Sequence, residues 1–235
     1  MRRVIKSIAA VTLVLVIASL AGFESVFSPQ NDDNIDNGHE YVDLDLPSGT
    51  LWATCNVGAE TPEGYGSYFA WGETRSKAVF DWDTYKYSNG SMDSLTKYCN
   101  KPGSGYHGFT DKLIVLETGD DAAKAKWGGE WRTPTAEEWM ELYQKTSSVW
   151  TSRNGVNGRL FTGRNGKTLF LPAAGYRLDD QFIYVGKYGN YWSNALNVAY
   201  PSRAWGFNFN ADDYGKGYSR RSSGQPVRAV RPRRK

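Results

Sequence analysis

Histidine and cysteine are scarce in this chain of 235 residues, which holds His39, His107, Cys55 and Cys99 and no others of either type. A zinc site needs three or four such ligands at close spacing, and the two histidines lie far apart with no second His or Cys beside them, so no metal is expected. Gly-x-Ser-x-Gly is missing as well, which removes the strand-turn-helix elbow that would expose a nucleophilic serine. Beyond the first 22 residues there is no long apolar run and no heptad repeat. An excess of one charge is also lacking. The chain has 28 basic and 25 acidic residues, and Arg2, Arg3 and Lys6 all lie in 1–22, leaving 25 against 25 thereafter. Nucleic-acid binding asks for a basic domain, and a neutral one excludes it as a leading function.

What the chain has is aromatic volume and glycine: 9 Trp, 15 Tyr, 10 Phe and 25 Gly. That composition favours a β-rich, loop-rich α+β domain over a helix bundle. Arg2, Arg3 and Lys6 precede an apolar stretch from Ile8 to Leu20, and Ser19-Leu20-Ala21 offers a small-residue cleavage site. Residues 1–22 therefore read as a signal peptide or an N-terminal anchor, and the protein as exported to the periplasm, the cell surface or the medium. Contact with a membrane is expected only through that segment. Residues 23–39 read as a polar linker and 40–235 as one domain. Arg228, Arg231, Arg233, Arg234 and Lys235 read as a short, solvated basic tail. Cys55 and Cys99 are open to either state, paired or free.

The domain is organised around Asp120–Trp139, DDAAKAKWGGEWRTPTAEEW. An Ala-rich helix over Asp120–Lys126 meets Gly128, and a second helix over Ala136–Lys145 carries an apolar stripe. Thr135 and Glu138 have the spacing of a capping box. Trp127, Trp131 and Trp139 fall at the joints, so with Thr135 and Glu138 they form the expected packing hub. Strands are expected at Tyr41–Leu46, Thr50–Val57, Tyr191–Ser193, Ala204–Phe209 and Val227–Val230, and Tyr65–Trp71 reads as a buried strand or an extended core segment. A hairpin is expected where Asn165-Gly166 separates Arg159–Thr162 from Lys167–Leu171. Phe80–Tyr87 alternates aromatic with polar residues, and 88–108 reads as a long polar loop.

Several motifs match a chemistry only in part. Gly103–Gly108 has the dinucleotide spacing, but it follows Lys101-Pro102 and runs into more loop, with no strand before it or helix after it. Gly166-Lys167-Thr168 would need an opening glycine at Phe161 to bind phosphate. Asp32, Asn34 and Asp36 alternate as in a calcium loop, but Asn37 and Asp43 replace the required Gly and Glu. The pairs Asp120/Asp121 and Glu137/Glu138 suit helix starts, where the helix dipole favours negative charge. No cofactor and no catalytic constellation are expected.

The remaining concentration is 186–224, where Tyr and Trp alternate with Asn, Asp, Ser and Arg. Binding loops share this composition, because aromatic rings give rigid contact area and small polar groups adapt their hydrogen bonds. Trp192, Trp205, Phe207 and Phe209 read as core, since alternation at 205, 207 and 209 turns one face inward. The candidate ligand-binding residues are Tyr188, Tyr191, Tyr200, Arg203, Asn208, Asn210, Asp212, Asp213, Tyr214 and Tyr218.

Several of these segments, in order, resemble one family. EYVDLDLPSGTLWATCNVGAETPEGYGSYFAWGET, LTKYC, the hub sequence, NGVNGRLFTGRNGKTLFLPAAGYR, GNYWSN and PVRAVRP look like the major paralogous domain of exported Bacteroidetes and Fibrobacter proteins. The resemblance spans about Glu40 to Pro232. It implies a C-type-lectin-like fold, with short twisted antiparallel strands, two helices and long loops, in the branch that includes formylglycine-generating enzymes. The Glu-Pro-Asn and Trp-Asn-Asp signatures of calcium-dependent sugar binding are missing, as is a C-terminal cysteine pair. Residues 188–223 also resemble in composition the ligand face of variable proteins from diversity-generating retroelements. The leading expectation is an exported non-enzymatic module binding a glycan or protein ligand. The alternatives are a retroelement-diversified receptor, a structural subunit of a surface assembly, and an oxidase of the formylglycine-generating type.

Overall fold

The best-capped element of the molecule is the helix that the sequence marks most clearly. In this computed structural model, which describes residues 34–233, Thr135 accepts the Glu138 N–H, and the Glu138 carboxylate returns to the Thr135 N–H at 2.8 Å. Both halves of the capping box are therefore made. The signal or anchor segment, and all of the expected linker up to residue 33, lie outside the described residues.

Fourteen elements can be followed. In chain order they are β1 (Ile35–Asp36), β2 (His39–Val42), β3 (Thr50–Ala53), α1 (Ala122–Trp127), α2 (Ala136–Lys145), β4 (Ser147–Arg153), β5 (Val156–Thr162), β6 (Thr168–Pro172), β7 (Tyr176–Leu178), β8 (Gln181–Ile183), β9 (Gly189–Leu196), β10 (Arg203–Phe209), β11 (Tyr214–Arg220) and β12 (Val230–Pro232). The sheets run β1-β2-β3-β12, β4-β5-β6, β7-β8 and β11-β10-β9, and every paired strand is antiparallel. The described domain is thus α+β, mostly antiparallel sheet with two helices. No described helix is long and apolar enough to cross a membrane.

Two aromatic cores divide the hub between them. Trp127 and Trp131 belong to one, with Trp71, Tyr98 and Trp192. Trp139 belongs to the other, stacked on Phe207 at 5.0 Å between ring centroids and 4° between planes. Trp131 is fully buried and its indole N–H donates to the Asp36 carbonyl at 2.9 Å. The hub sequence therefore ties the two cores to the N-terminal hairpin.

Several expectations need correction. The first helix begins at Ala122, because the Asp121 carboxylate caps it by accepting the Ala123 and Lys124 N–H groups. Asp120 sits outside the helix with a different role: its buried carboxylate accepts the Tyr87 and Tyr98 hydroxyls and pairs with Lys97 at 2.6 Å. The polar linker ends before Ile35, where β1 pairs with β2. The basic tail is not solvated over its first half. Pairing of β12 with β3 carries it through the interior, so Arg228 is fully buried, donating to Asn56 and the Ala53 carbonyl, and Arg231 is buried against Asp36 and Glu130. Of the two readings of Tyr65–Trp71, the extended core segment holds and the strand does not: Tyr68–Trp71 are buried, and Phe69 bridges Gln225. Phe80–Tyr87 is irregular too. An additional strand, β4, pairs along the whole of β5. Its apolar residues Val149 and Trp150 are adjacent rather than alternate, which hides the period.

Candidate ligand-binding face

The β10–β11 hairpin is closed by its own polar side chains. The Asn210 side-chain oxygen accepts the Asp212 and Asp213 N–H groups, each at 2.8 Å, and an Asp213 carboxylate oxygen accepts the Tyr214 N–H at 2.8 Å. This is the asparagine-led turn chemistry in which a short side chain substitutes for backbone. From β5, the buried Arg159 reaches the same turn. Its Nη2 donates to the Asn210 and Ala211 carbonyls at 3.0 and 3.2 Å, and its guanidinium lies 4.0 Å from the Tyr214 ring centre. Burial pulls the Arg159 pKa down, while Tyr214 and Asp213 oppose that effect. The turn is therefore held from beneath by a fixed cation.

Above this support is a cavity of about 420 Å³, lined by Tyr188, Asn208, Asn210, Asp213, Tyr214 and Lys216 together with Phe209 and Gly215. Its shape follows from the strand pairing. Asn208 lies opposite Gly215 on β11 and opposite Asn190 on β9. Glycine leaves room there: a Cβ on Gly217 would come within 2.1 Å of the Asn208 amide nitrogen. Asn190 is nearly buried, and its amide nitrogen has no hydrogen-bond partner among the described residues. Tyr188 rises at the edge and stacks obliquely on the exposed Tyr184 at 5.0 Å.

The structure gathers five of the ten expected residues in this groove: Tyr188, Asn208, Asn210, Asp213 and Tyr214. Tyr200, Arg203 and Tyr218 form a second group at the far end of the hairpin, where the Arg203 guanidinium lies 5.1 Å from the Tyr218 ring and 6.0 Å from that of Tyr200. Asp212 is exposed in the turn and lines neither group. Tyr191 is a correction. It is fully buried, its hydroxyl donates to the Pro172 carbonyl at 2.7 Å, and burial pushes its pKa up to about 12, so it belongs to the core. Phe207 and Phe209 are buried as expected, but Trp205 is only half-buried beneath Lys216, whose ammonium lies 4.1 Å from its ring.

Lys216 is the groove residue that sequence reading missed. The alternation Tyr214, Lys216, Tyr218 places it on the same face as two chosen tyrosines, so the signal was present. Elsewhere, a cavity of about 380 Å³ is lined by His39, Glu40, Cys55, Glu60 and Trp127 among others. Both cysteines are free thiols, Cys55 half-buried and Cys99 buried. The segment Gly103–Gly108 forms two short 3-10 turns, and no α-helix begins there. No three His, Cys, Asp or Glu side chains among the described residues are grouped as a metal ion would need.

Comparison of this chain with protein-family models, with curated proteins and with solved structures returns no match.

Proposed function

We propose that the protein is an exported binding module of the C-type-lectin-like kind, related to the major paralogous domain family, and that the groove between Tyr188 and Lys216 holds a saccharide. The observation that carries the reading is the make-up of that groove. Two tyrosine rings stand beside two amides, a carboxylate and an ammonium around the turn end of the β10–β11 hairpin. Rings of this kind cover the apolar C–H face of a sugar, while amide and carboxylate groups match its hydroxyls as donors and acceptors. The layout of short antiparallel strands, two helices and long loops agrees with the fold expected from the resemblance.

The role is binding, with the ligand held by a preorganised surface. Arg159 and the Asn210 turn fix the groove before any ligand arrives, which lowers the ordering cost of association. The test is a glycan-array screen followed by titration of the recovered ligands with Tyr188→Ala and Asn208→Ala. Each variant is expected to weaken binding about tenfold, the equivalent of roughly 1.4 kcal/mol, with melting temperature unchanged. Undiminished binding of every recovered ligand by both variants would remove the groove from the site. Recovery of a protein ligand but no glycan would move the assignment to a protein receptor.

A further inference from the structure

The far end of the β10–β11 hairpin carries cations that the rest of the molecule leaves without counterions. Arg203 pairs directly with Arg220 across the strands, and the next pair on the same face is Trp205 with Tyr218. Directly opposed like charges destabilise a sheet. Among the described residues neither arginine side chain forms an ion pair or hydrogen bond with the protein, and Lys216 forms no ion pair either. The nearest acids along the hairpin, Asp212 and Asp213, lie in its turn. Seven residues of strand separate Asp213 from Arg220, roughly 24 Å at about 3.4 Å per residue. That is several times the screening length of about 8 Å at physiological salt.

The rings beneath these cations are equally specific. The Arg203 guanidinium lies over Tyr218 and Tyr200, the Lys216 ammonium lies over Trp205, and Trp205 meets Tyr218 edge-on at 5.5 Å. Tyr200 and Tyr218 are both well exposed. Stacking engages the flat face of a guanidinium and leaves the in-plane N–H groups free for acceptors. A fork of this kind matches a carboxylate or a sulfate by paired hydrogen bonds.

We propose that this ladder is an anion subsite, and that the ligand of the groove is an acidic saccharide whose carboxylate or sulfate is held by Arg203 and Arg220. Lys216 lines the groove and also caps Trp205, so it joins the two regions. The inference rests on reading the groove as a saccharide site. An acidic saccharide fits better than nucleic acid because charge is balanced over the chain beyond the N-terminal segment, with 25 basic against 25 acidic residues.

The experiment titrates the full chain with polygalacturonate, dextran sulfate and unmodified dextran, and separates the carboxylate and sulfate sources. The Arg203→Ala/Arg220→Ala double variant is compared with Arg164→Ala/Lys167→Ala, which removes the same charge from the exposed β5–β6 turn. The expected result is binding of at least one acidic polymer, weakened tenfold or more by the first double variant and less than twofold by the control. The first variant is also expected to melt no lower than the parent, since it relieves a like-charge pair. Equal loss in both variants would reduce the effect to general charge attraction and overturn the subsite. Binding of dextran with no gain from acidic groups would overturn the subsite and leave the groove reading standing. Binding of none of the three, alongside an array that recovers no saccharide, would overturn both.

Discussion

Replacing Asp120 by asparagine tests whether a buried carboxylate stabilises the first aromatic core. Burial alone would raise the Asp120 pKa, but hydrogen bonds from Lys97, Tyr87 and Tyr98 outweigh it and hold the group at about 2, against 3.8 when solvated. A difference of just under two units corresponds to about 2 kcal/mol of folding stability at neutral pH. The sign follows from the depressed value. The contribution is complete above the unfolded pKa of 3.8 and is lost as pH falls through about 2. Asparagine keeps the shape and one acceptor but not the charge opposite Lys97. In a domain of this size each 1 kcal/mol moves the melting temperature about 2–4 °C, so Asp120→Asn is expected to melt roughly 4–8 °C lower at pH 7. Thermal melts of parent and variant from pH 6 to pH 2 should converge towards the acid end. A constant gap across that range would refute the electrostatic account and leave packing as the cause.

Two further substitutions probe the hub and the groove separately. Trp131→Ala removes a fully buried indole and its bond to the Asp36 carbonyl, and urea unfolding should show a loss of about 3–5 kcal/mol; an unchanged midpoint would mean that the hub does not hold the fold. Gly217→Ala places a methyl group against the Asn208 amide, the movable end of a side chain, so the strand should persist with stability within about 1 kcal/mol. Saccharide affinity should nevertheless fall about three- to tenfold as Asn208 is displaced, and unaltered affinity by calorimetry would show that this amide makes no contact.

Much of the architecture was legible because local signals and long-range packing agreed. Thr135 and Glu138 mark a helix by backbone chemistry alone, and α2 runs over Ala136–Lys145 as its stripe predicts. Asn165-Gly166 likewise joins β5 to β6. Where the two levels parted, the sequence misled. Arg228 and Arg231 look like a solvated tail until β12 is seen to pair with β3, after which carbonyls and carboxylates far away in sequence surround them. Tyr191 sits among binding-loop residues in composition, but it lies on β9 against Pro172 and Asn56. Composition singled out the β10–β11 hairpin without distinguishing its two ends. The side chains of Tyr188 and Arg203 were equal candidates by type; the fold places Tyr188 at the groove just before β9, and strand register places Arg203 opposite Arg220 at the other end of the hairpin.

That register also explains how one hairpin can contribute aromatic rings to the core and still present polar side chains at its surface. Phe207 stacks on Trp139 and Phe209 stacks on Tyr191, which fixes β10 to the hub on one face. On the alternate positions, Asn208 lies opposite Gly215, and its amide overlies Gly217. Asn208 can therefore change side chain without disturbing the aromatic stack that orients the strand. Arg159 does the equivalent for the turn, since it grips the backbone carbonyls of Asn210 and Ala211 rather than their side chains. A surface anchored through main-chain atoms and alternate residues keeps its geometry while its exposed chemistry varies. The same separation predicts that changes at Asn208 alter what the protein binds far more than how stably it folds.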